Sequence, residues 1–137
     1  MNNKINLNDI RNREDIEKLM TSFYENVLND MVIGFIFNDV ADFDLEDHLP
    51  VITDFWETIL FGTGKYSGKN RAMDVHFELN KKVSLKKGHF TRWLFLFNGA
   101  VDRMYKGFYA EKAKQKASDI ANAMQKRLKL VECSDST

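Results

Sequence analysis

Apolar residues recur every three or four positions along most of the chain, which is the spacing of amphipathic helices. Asn12, with Asp15 three residues later, predicts the start of a first helix. Its apolar stripe consists of Ile16, Leu19, Met20, Phe23, Val27 and Leu28. In the segment that follows we expect a turn at Gly34 and inward-facing anchors at Phe35 and Phe37.

A second helix is predicted after Asp44 or Asp47, with Pro50 in its first turn, where the missing N–H costs little. At about 100° per residue, the face of this helix that begins with His48 is apolar. That face contains Ile52, Phe55 and Ile59, with Trp56 at its edge. The helix is expected to end at FGTGKYSGKN, a glycine-rich loop of a length that is often functional.

A third helix is predicted from about Gly88 to Tyr105, and a fourth after Gly107. The stripe of the third helix consists of Phe90, Trp93, Phe97, Val101 and Met104. The fourth helix places mostly small apolar residues on one side: Ala110, Ala113, Ala117, Ala121, Met124 and Leu128. Because no segment shows a convincing alternation of apolar and polar residues, we predict an all-α fold with close helix packing.

The length of 137 residues indicates a single domain, 1–137, with a core at about 13–128 and a polar tail at 131–137. Twenty Lys and Arg balance twenty Asp and Glu, which argues against nucleic acid as a partner. No apolar run approaches the ~20 residues of a membrane span, and the N-terminus lacks a signal-peptide pattern. The only cysteine, Cys133, excludes an internal disulfide. We expect a cytoplasmic protein with no membrane partner.

Aromatic residues are abundant, with 11 Phe, 4 Tyr and 2 Trp against one Pro. Either the core is rich in aromatic side chains, or it encloses a flat group. Three histidines, His48, His76 and His89, lie among apolar residues. Taken singly, such a histidine is more often structural, because a buried imidazole can pair with a carbonyl group. The sequence contains no motif of a zinc protease, a phosphate-binding loop or a serine hydrolase, whereas haem needs only one histidine ligand.

Six short stretches follow one another along the chain: FYENV at 23–27, IFND at 36–39, HLPVITDFW at 48–56, the GTGKYSG loop, VHFEL at 75–79 and HFTRWLFLF at 89–97. In this order and at this spacing they resemble group III of the truncated haemoglobin family. The resemblance covers most of the chain, at about 13–128. Each motif is weak alone, but the six together form a strong joint match.

This resemblance implies a two-over-two helical sandwich around haem b, with His76 as the proximal ligand to iron. Tyr24, His48 and Trp93 would line the distal side, where a gaseous ligand binds. The other pocket residues that it implies are Phe37, against the haem plane, and Ile52 and Trp56, on the helix of His48. His89 is the alternative ligand, but the family places its ligand in a short segment before the Trp-bearing helix, which favours His76.

The implied function is the binding of dioxygen or another diatomic ligand. Dioxygen at ferrous haem carries partial negative charge, and each distal hydrogen bond to it contributes ~1.5–3 kcal/mol. Three distal polar groups exceed what reversible transport needs. The alternative is therefore a haem-dependent redox enzyme that acts on peroxide or nitric oxide with an electron-donor reductase. A third hypothesis is a cofactor-free helical interaction module. Either His48 only lines the distal side, or it binds the iron itself when no gas is present.

Overall fold

The structure is a computed structural model that describes residues 6–40, 44–64 and 85–128. Its regular elements are α1 (Arg13–Leu28), a short π-helical turn (Ile36–Val40), α2 (Leu45–Phe61), α3 (Lys87–Met104) and α4 (Phe108–Arg127). These three ranges contain no β-strand, so the prediction of an all-α fold is confirmed. Within the same ranges, no helix combines the length and the apolar character needed to cross a lipid bilayer.

The helices form two packed pairs. α1 packs against α2, and α3 packs against α4, while α1 also lies on α3 and α2 touches α4. This is the predicted two-over-two arrangement. The predicted stripes of α1, α3 and α4 meet in its core, where the residues with no exposed surface include Ile16, Phe23, Val27, Phe97, Val101, Ala113 and Ala117. On α2 the buried residues are Thr53, Trp56, Glu57 and Leu60, whereas Ile52, Phe55 and Ile59 of the predicted apolar face are only partly buried. The alanines of α4 allow its backbone to approach α3 closely.

Two local side-chain caps fix the starts of α1 and α2. Asn12 accepts a hydrogen bond from the N–H of Asp15 at 3.0 Å, as predicted. Asp44 accepts from the N–H of Glu46 at 3.1 Å and therefore caps α2. With that start, Pro50 lies in the second turn of α2, so the prediction that it lies in the first turn is wrong. The carbonyl group of Glu46 loses the N–H that an uninterrupted helix would offer it.

The segment between α1 and α2 folds tightly back on the end of α1. A Cβ atom on Gly34 would lie 2.9 Å from the carbonyl oxygen of Leu28, so only glycine fits there. Ile33 and Ile36 are buried hydrophobic residues of this segment. Phe35 is 42% exposed, so the prediction that it is an inward anchor is wrong. Phe37 is partly buried against the core, as an anchor should be.

The start of α4 is capped by a residue from the other end of the chain. Oδ2 of Asp9 accepts from the N–H of Tyr109 at 2.9 Å, and Oδ1 accepts from the N–H of Ala110 at 2.8 Å. Gly107 precedes α4 with φ 144° and ψ −167°, a conformation that is essentially restricted to glycine. The N-terminal segment therefore holds the α3–α4 connection in place.

Candidate functional site

Six aromatic side chains from α1, α2, α3 and the π-helical turn form one aromatic cluster: Phe23, Tyr24, Phe37, Trp56, Trp93 and Phe97. Phe23, which is fully buried, lies at its centre. Its ring makes edge contacts with Tyr24 at 4.6 Å, with Phe97 at 5.1 Å and with Trp93 at 5.6 Å between centroids. Edge-to-face contacts at these distances stabilise the packing beyond the area they bury.

The two tryptophans lie against Phe97. Trp56 stacks on Phe97 at 5.0 Å with 20° between the planes, and Trp93 stacks on it at 5.8 Å with 16°. Phe37 reaches the cluster through Tyr24, with 6.1 Å between their rings. The structure therefore brings together four residues that the sequence placed in a pocket: Tyr24, Phe37, Trp56 and Trp93.

Tyr24 and Trp93 form the polar part of the cluster. Both rings lie against Phe23, at 4.6 and 5.6 Å between centroids. In a hydrogen bond between them the indole N–H would be the donor, because it has no acceptor capacity. Burial raises the pKa of Tyr24 to about 12, and the influence of Trp93 acts in the opposite direction. Tyr24 therefore keeps its proton at neutral pH and can donate a hydrogen bond.

His48 is exposed, in the first residues of α2. Its Nδ1 lies 2.9 Å from the backbone carbonyl oxygen of Asp44. A carbonyl oxygen only accepts, so Nδ1 donates, and in the neutral ring the lone pair is on Nε2. In that form His48 offers Nε2 as an acceptor or as a metal ligand. It donates from Nε2 only as an imidazolium ion.

His89, in the first turn of α3, has the opposite arrangement. Its Nδ1 accepts a hydrogen bond from the backbone N–H of Lys86 at 2.9 Å, so in the neutral ring Nε2 carries the proton. Burial and the nearby charge of Lys86 lower the pKa of His89. Its ring also makes an edge contact with Phe35, at 6.3 Å between centroids. His89 is therefore a neutral cap of α3.

Two further residues that were predicted for the site are Ile52 and His76. Ile52 lies on α2 one turn before Trp56 and is partly buried against the core. His76 lies outside the described residues. Phe23 and Phe97 belong to the cluster although the sequence identified them only as core positions.

An ion pair beside the cluster was not anticipated. The side chain of Asp30 is only 4% exposed, and Arg92 donates to it from Nη2 at 2.6 Å and from Nε at 3.0 Å. The hydrogen bond from Arg92 is the main reason that the pKa of Asp30 is lowered. The two residues are 62 positions apart, so no local signal in the sequence relates them.

The two-over-two packing of the helices defines a truncated globin fold. No family model matches the chain. The chain is 32% identical over 120 residues to the group 3 truncated haemoglobin ctb of Campylobacter jejuni, a match that covers 85% of this chain and 91% of that protein. It is also similar to the crystal structure of the group III truncated haemoglobin from Campylobacter jejuni, with a TM-score of 0.76 and 30% identity over 90% of this chain and 95% of that one. This chain belongs to group III of the truncated haemoglobin family.

Proposed function

We propose that this chain, as a single domain, binds haem b through His76 and holds dioxygen or another diatomic ligand on the side of Tyr24, His48 and Trp93. The observation that carries the proposal is the placement of Tyr24 and Trp93 together against Phe23 within the aromatic cluster. It is a neutral donor set, and it suits a ligand with partial negative charge. The similarity to truncated haemoglobins of Campylobacter jejuni supports the choice of cofactor.

The described residues fit a flat apolar cofactor. Phe37, Ile52 and Trp93 pack against the core but are only partly buried, so each retains apolar surface for a further group. Trp56, which stacks on Phe97, is 3% exposed. When bound, haem supplies an iron atom that can hold a diatomic ligand and exchange electrons.

The hydrogen bonding of His89 supports His76 as the iron ligand. While Nδ1 of His89 accepts from the N–H of Lys86 and Nε2 carries the proton, a neutral His89 has no lone pair left for a metal. The tautomer of His48 instead keeps a lone pair on Nε2. The proposal therefore includes His48 either as a distal neighbour of the gas or as a second iron ligand in its absence.

On the distal side, Tyr24 would be the hydrogen-bond donor to the ligand. A hydrogen bond from Trp93 to the oxygen of Tyr24 would restrict the directions in which the hydroxyl can point. Tyr24 stays neutral, because its pKa is about 12, and so keeps the O–H group that donates a hydrogen bond. The surrounding rings exclude water, which strengthens such hydrogen bonds.

The cofactor and its ligand are tested by the absorption spectrum of the purified protein after addition of haem. We expect a Soret band that is lost in His76→Ala and retained in His89→Ala. A wild-type protein without that band would refute haem binding and favour the cofactor-free interaction module. A band that is unchanged in His76→Ala would refute the assignment of the ligand.

The distal donors are tested by the dissociation rate of dioxygen. Each lost donor corresponds to ~1.5–3 kcal/mol, so Tyr24→Phe and Trp93→Phe should each release dioxygen about 10- to 100-fold faster. Tyr105→Phe is the matched control, because its hydroxyl donates to the carbonyl group of Asp15 at 3.2 Å, outside the aromatic cluster. Equal rates in all three variants would contradict the donor assignment.

The same donor pair favours a second candidate, a haem-dependent enzyme that reduces peroxide or oxidises nitric oxide. A hydroxyl proton directed at an oxygen–oxygen bond assists its cleavage. Single-turnover reactions with hydrogen peroxide and with nitric oxide distinguish this candidate from simple binding, since only an enzyme reacts faster in the wild type than in Tyr24→Phe. An electron-donor reductase and a cytoplasmic location belong to this proposal.

A further inference from the structure

Asp30 connects the three segments that carry Tyr24, Phe37 and Trp93. It lies just after α1, the helix of Tyr24. Through both of its oxygens it binds Arg92, the residue before Trp93 on α3, with contacts of 2.6, 3.0 and 3.2 Å. A paired contact of this kind fixes the orientation of the guanidinium group as well as its distance.

The same carboxylate organises the turn that leads to Phe37. Its Oδ2 accepts hydrogen bonds from the N–H groups of Val32 and Ile33, both at 3.0 Å. The carbonyl oxygen of Asp30 also accepts from the N–H of Gly34 at 3.0 Å. These bonds reverse the chain, so that Phe37 returns to the ring of Tyr24.

The position of Asp30 is not explained by the stability of α1. A negative charge near the C-terminal end of a helix is unfavourable, because the last carbonyl groups are themselves negative. A carboxylate that is 4% exposed also requires partners to offset its desolvation. Arg92 and the two N–H groups are those partners, and all of them belong to segments that border the aromatic cluster.

We propose that Asp30 and Arg92 are positioning residues that hold the indole of Trp93 against the ring of Phe23, beside Tyr24. Only the consequence for a bound gas rests on the proposed function. The geometric part concerns the protein with or without haem.

Arg13 offers a control variant. It is 37% exposed and pairs with Asp54, which is 34% exposed, at 2.7 Å and with Glu57, which is 9% exposed, at 2.8 Å. Arg92 is similarly exposed, at 36%. Arg13 is the first residue of α1 and its partners lie on α2, whereas Arg92 adjoins Trp93 on α3. Arg13→Gln therefore removes ion pairs between helices without changing a neighbour of Trp93.

The first measurement is the indole ¹H–¹⁵N resonance of Trp93 in the full-length protein without added haem, identified by its loss in Trp93→Phe. We expect Arg92→Gln to move this signal, because the indole then shifts relative to the rings of Phe23 and Phe97, while Arg13→Gln leaves it in place. Asp30→Asn keeps a side-chain oxygen that can accept from the N–H groups of Val32 and Ile33, but it loses the negative charge that binds Arg92. It should move the signal in the same direction. Arg92→Lys keeps the positive charge but cannot make the paired contact of the guanidinium group. Its Trp93 signal should therefore lie between those of the wild type and Arg92→Gln.

The second measurement is the dissociation rate of dioxygen from the haem-loaded protein, which should be about tenfold faster in Arg92→Gln than in Arg13→Gln. The proposal is overturned if the Trp93 signal is unchanged in Arg92→Gln and Asp30→Asn, or if Arg13→Gln moves it equally. A shifted signal in a protein that binds no dioxygen would support the positioning role and refute the proposed function instead.

Discussion

Removal of the Asp9 carboxylate should destabilise the protein although Asp9 lies in no helix. Its two oxygens accept from the N–H groups of Tyr109 and Ala110 at 2.9 and 2.8 Å, which replaces the side-chain cap that Gly107 cannot provide. An N-terminal cap contributes about 1 kcal/mol, and a negative charge at a helix N-terminus adds ~0.3–1 kcal/mol. With two charged hydrogen bonds instead of one, we expect Asp9→Ala to lower the free energy of unfolding by about 2–3 kcal/mol.

The assay is urea denaturation, and Asp44→Ala is the control. Asp44 is exposed and accepts one N–H bond at 3.1 Å, so its loss should cost only about 0.5–1 kcal/mol. Gly107→Ala provides a coupled perturbation, because its Cβ would lie 2.5 Å from Cγ of Asp9. Gly107→Ala should lower the free energy of unfolding by about 1–3 kcal/mol through backbone strain. It should also remove most of the capping of α4 by Asp9.

The double variant Asp9→Ala/Gly107→Ala decides whether this reasoning is correct. If the alanine at 107 acts partly by displacing Asp9, the double variant should lose about 2 kcal/mol less than the sum of the single losses. Additive losses, or an Asp9→Ala variant no less stable than Asp44→Ala, would refute the capping role of Asp9.

Three further predictions concern the cluster and its surroundings. The pKa of Tyr24 is about 12 in the folded protein and ~10 when unfolded, so its contribution to stability is present below pH 10 and falls by about 1 kcal/mol at pH 11. Urea midpoints of wild type and Tyr24→Phe should therefore converge or cross between pH 9 and 11, and a constant difference would contradict this. The pKa of His89 is lowered from 6.5 in the folded state, so its contribution is present above pH 6.5 and is lost as the pH falls. Wild type should thus lose stability relative to His89→Gln between pH 7.5 and 5.5, whereas parallel curves would argue against a neutral cap. Phe23→Ala should cost about 3–5 kcal/mol, because the ring is fully buried, while Phe108→Ala, at a side chain 70% exposed, should change little; similar losses in the two would exclude Phe23 as the centre of the cluster.

Local signals predicted the helices because the interactions that begin and end them are local. Asn12 bonds a residue three positions away, and Asp44 bonds one two positions away. Gly62 ends α2 in the left-handed conformation that glycine favours. The stripes of α1, α3 and α4 were predictable for a similar reason, since a helix with one apolar face has only one way to bury it.

Apart from the placement of Pro50, which depends on whether Asp44 or Asp47 caps α2, the errors fall where the outcome depends on distant atoms. Four apolar residues, at 32, 33, 35 and 36, adjoin Gly34, and their sequence does not show which of them point inward. The close approach of Gly34 to the end of α1 decides it, and buries Ile33 and Ile36 rather than Phe35. Asp30 pairs with Arg92 across 62 residues, and Asp9 caps α4 across about 100 residues. Neither contact produces a periodic pattern in the sequence.

Of the predicted site residues, the structure brings together Tyr24, Phe37, Trp56 and Trp93, but the sequence did not show how the histidines are protonated. His48 and His89 both lie in apolar stripes near the start of a helix, and the sequence treats them alike. His48 is the fourth residue of α2, so its ring reaches back to the carbonyl group of Asp44 and donates from Nδ1. His89 is the third residue of α3, so its ring reaches the N–H of Lys86 and accepts at Nδ1. A difference of one position relative to the cap therefore reverses which nitrogen keeps its lone pair, and with it which histidine is able to bind iron through Nε2.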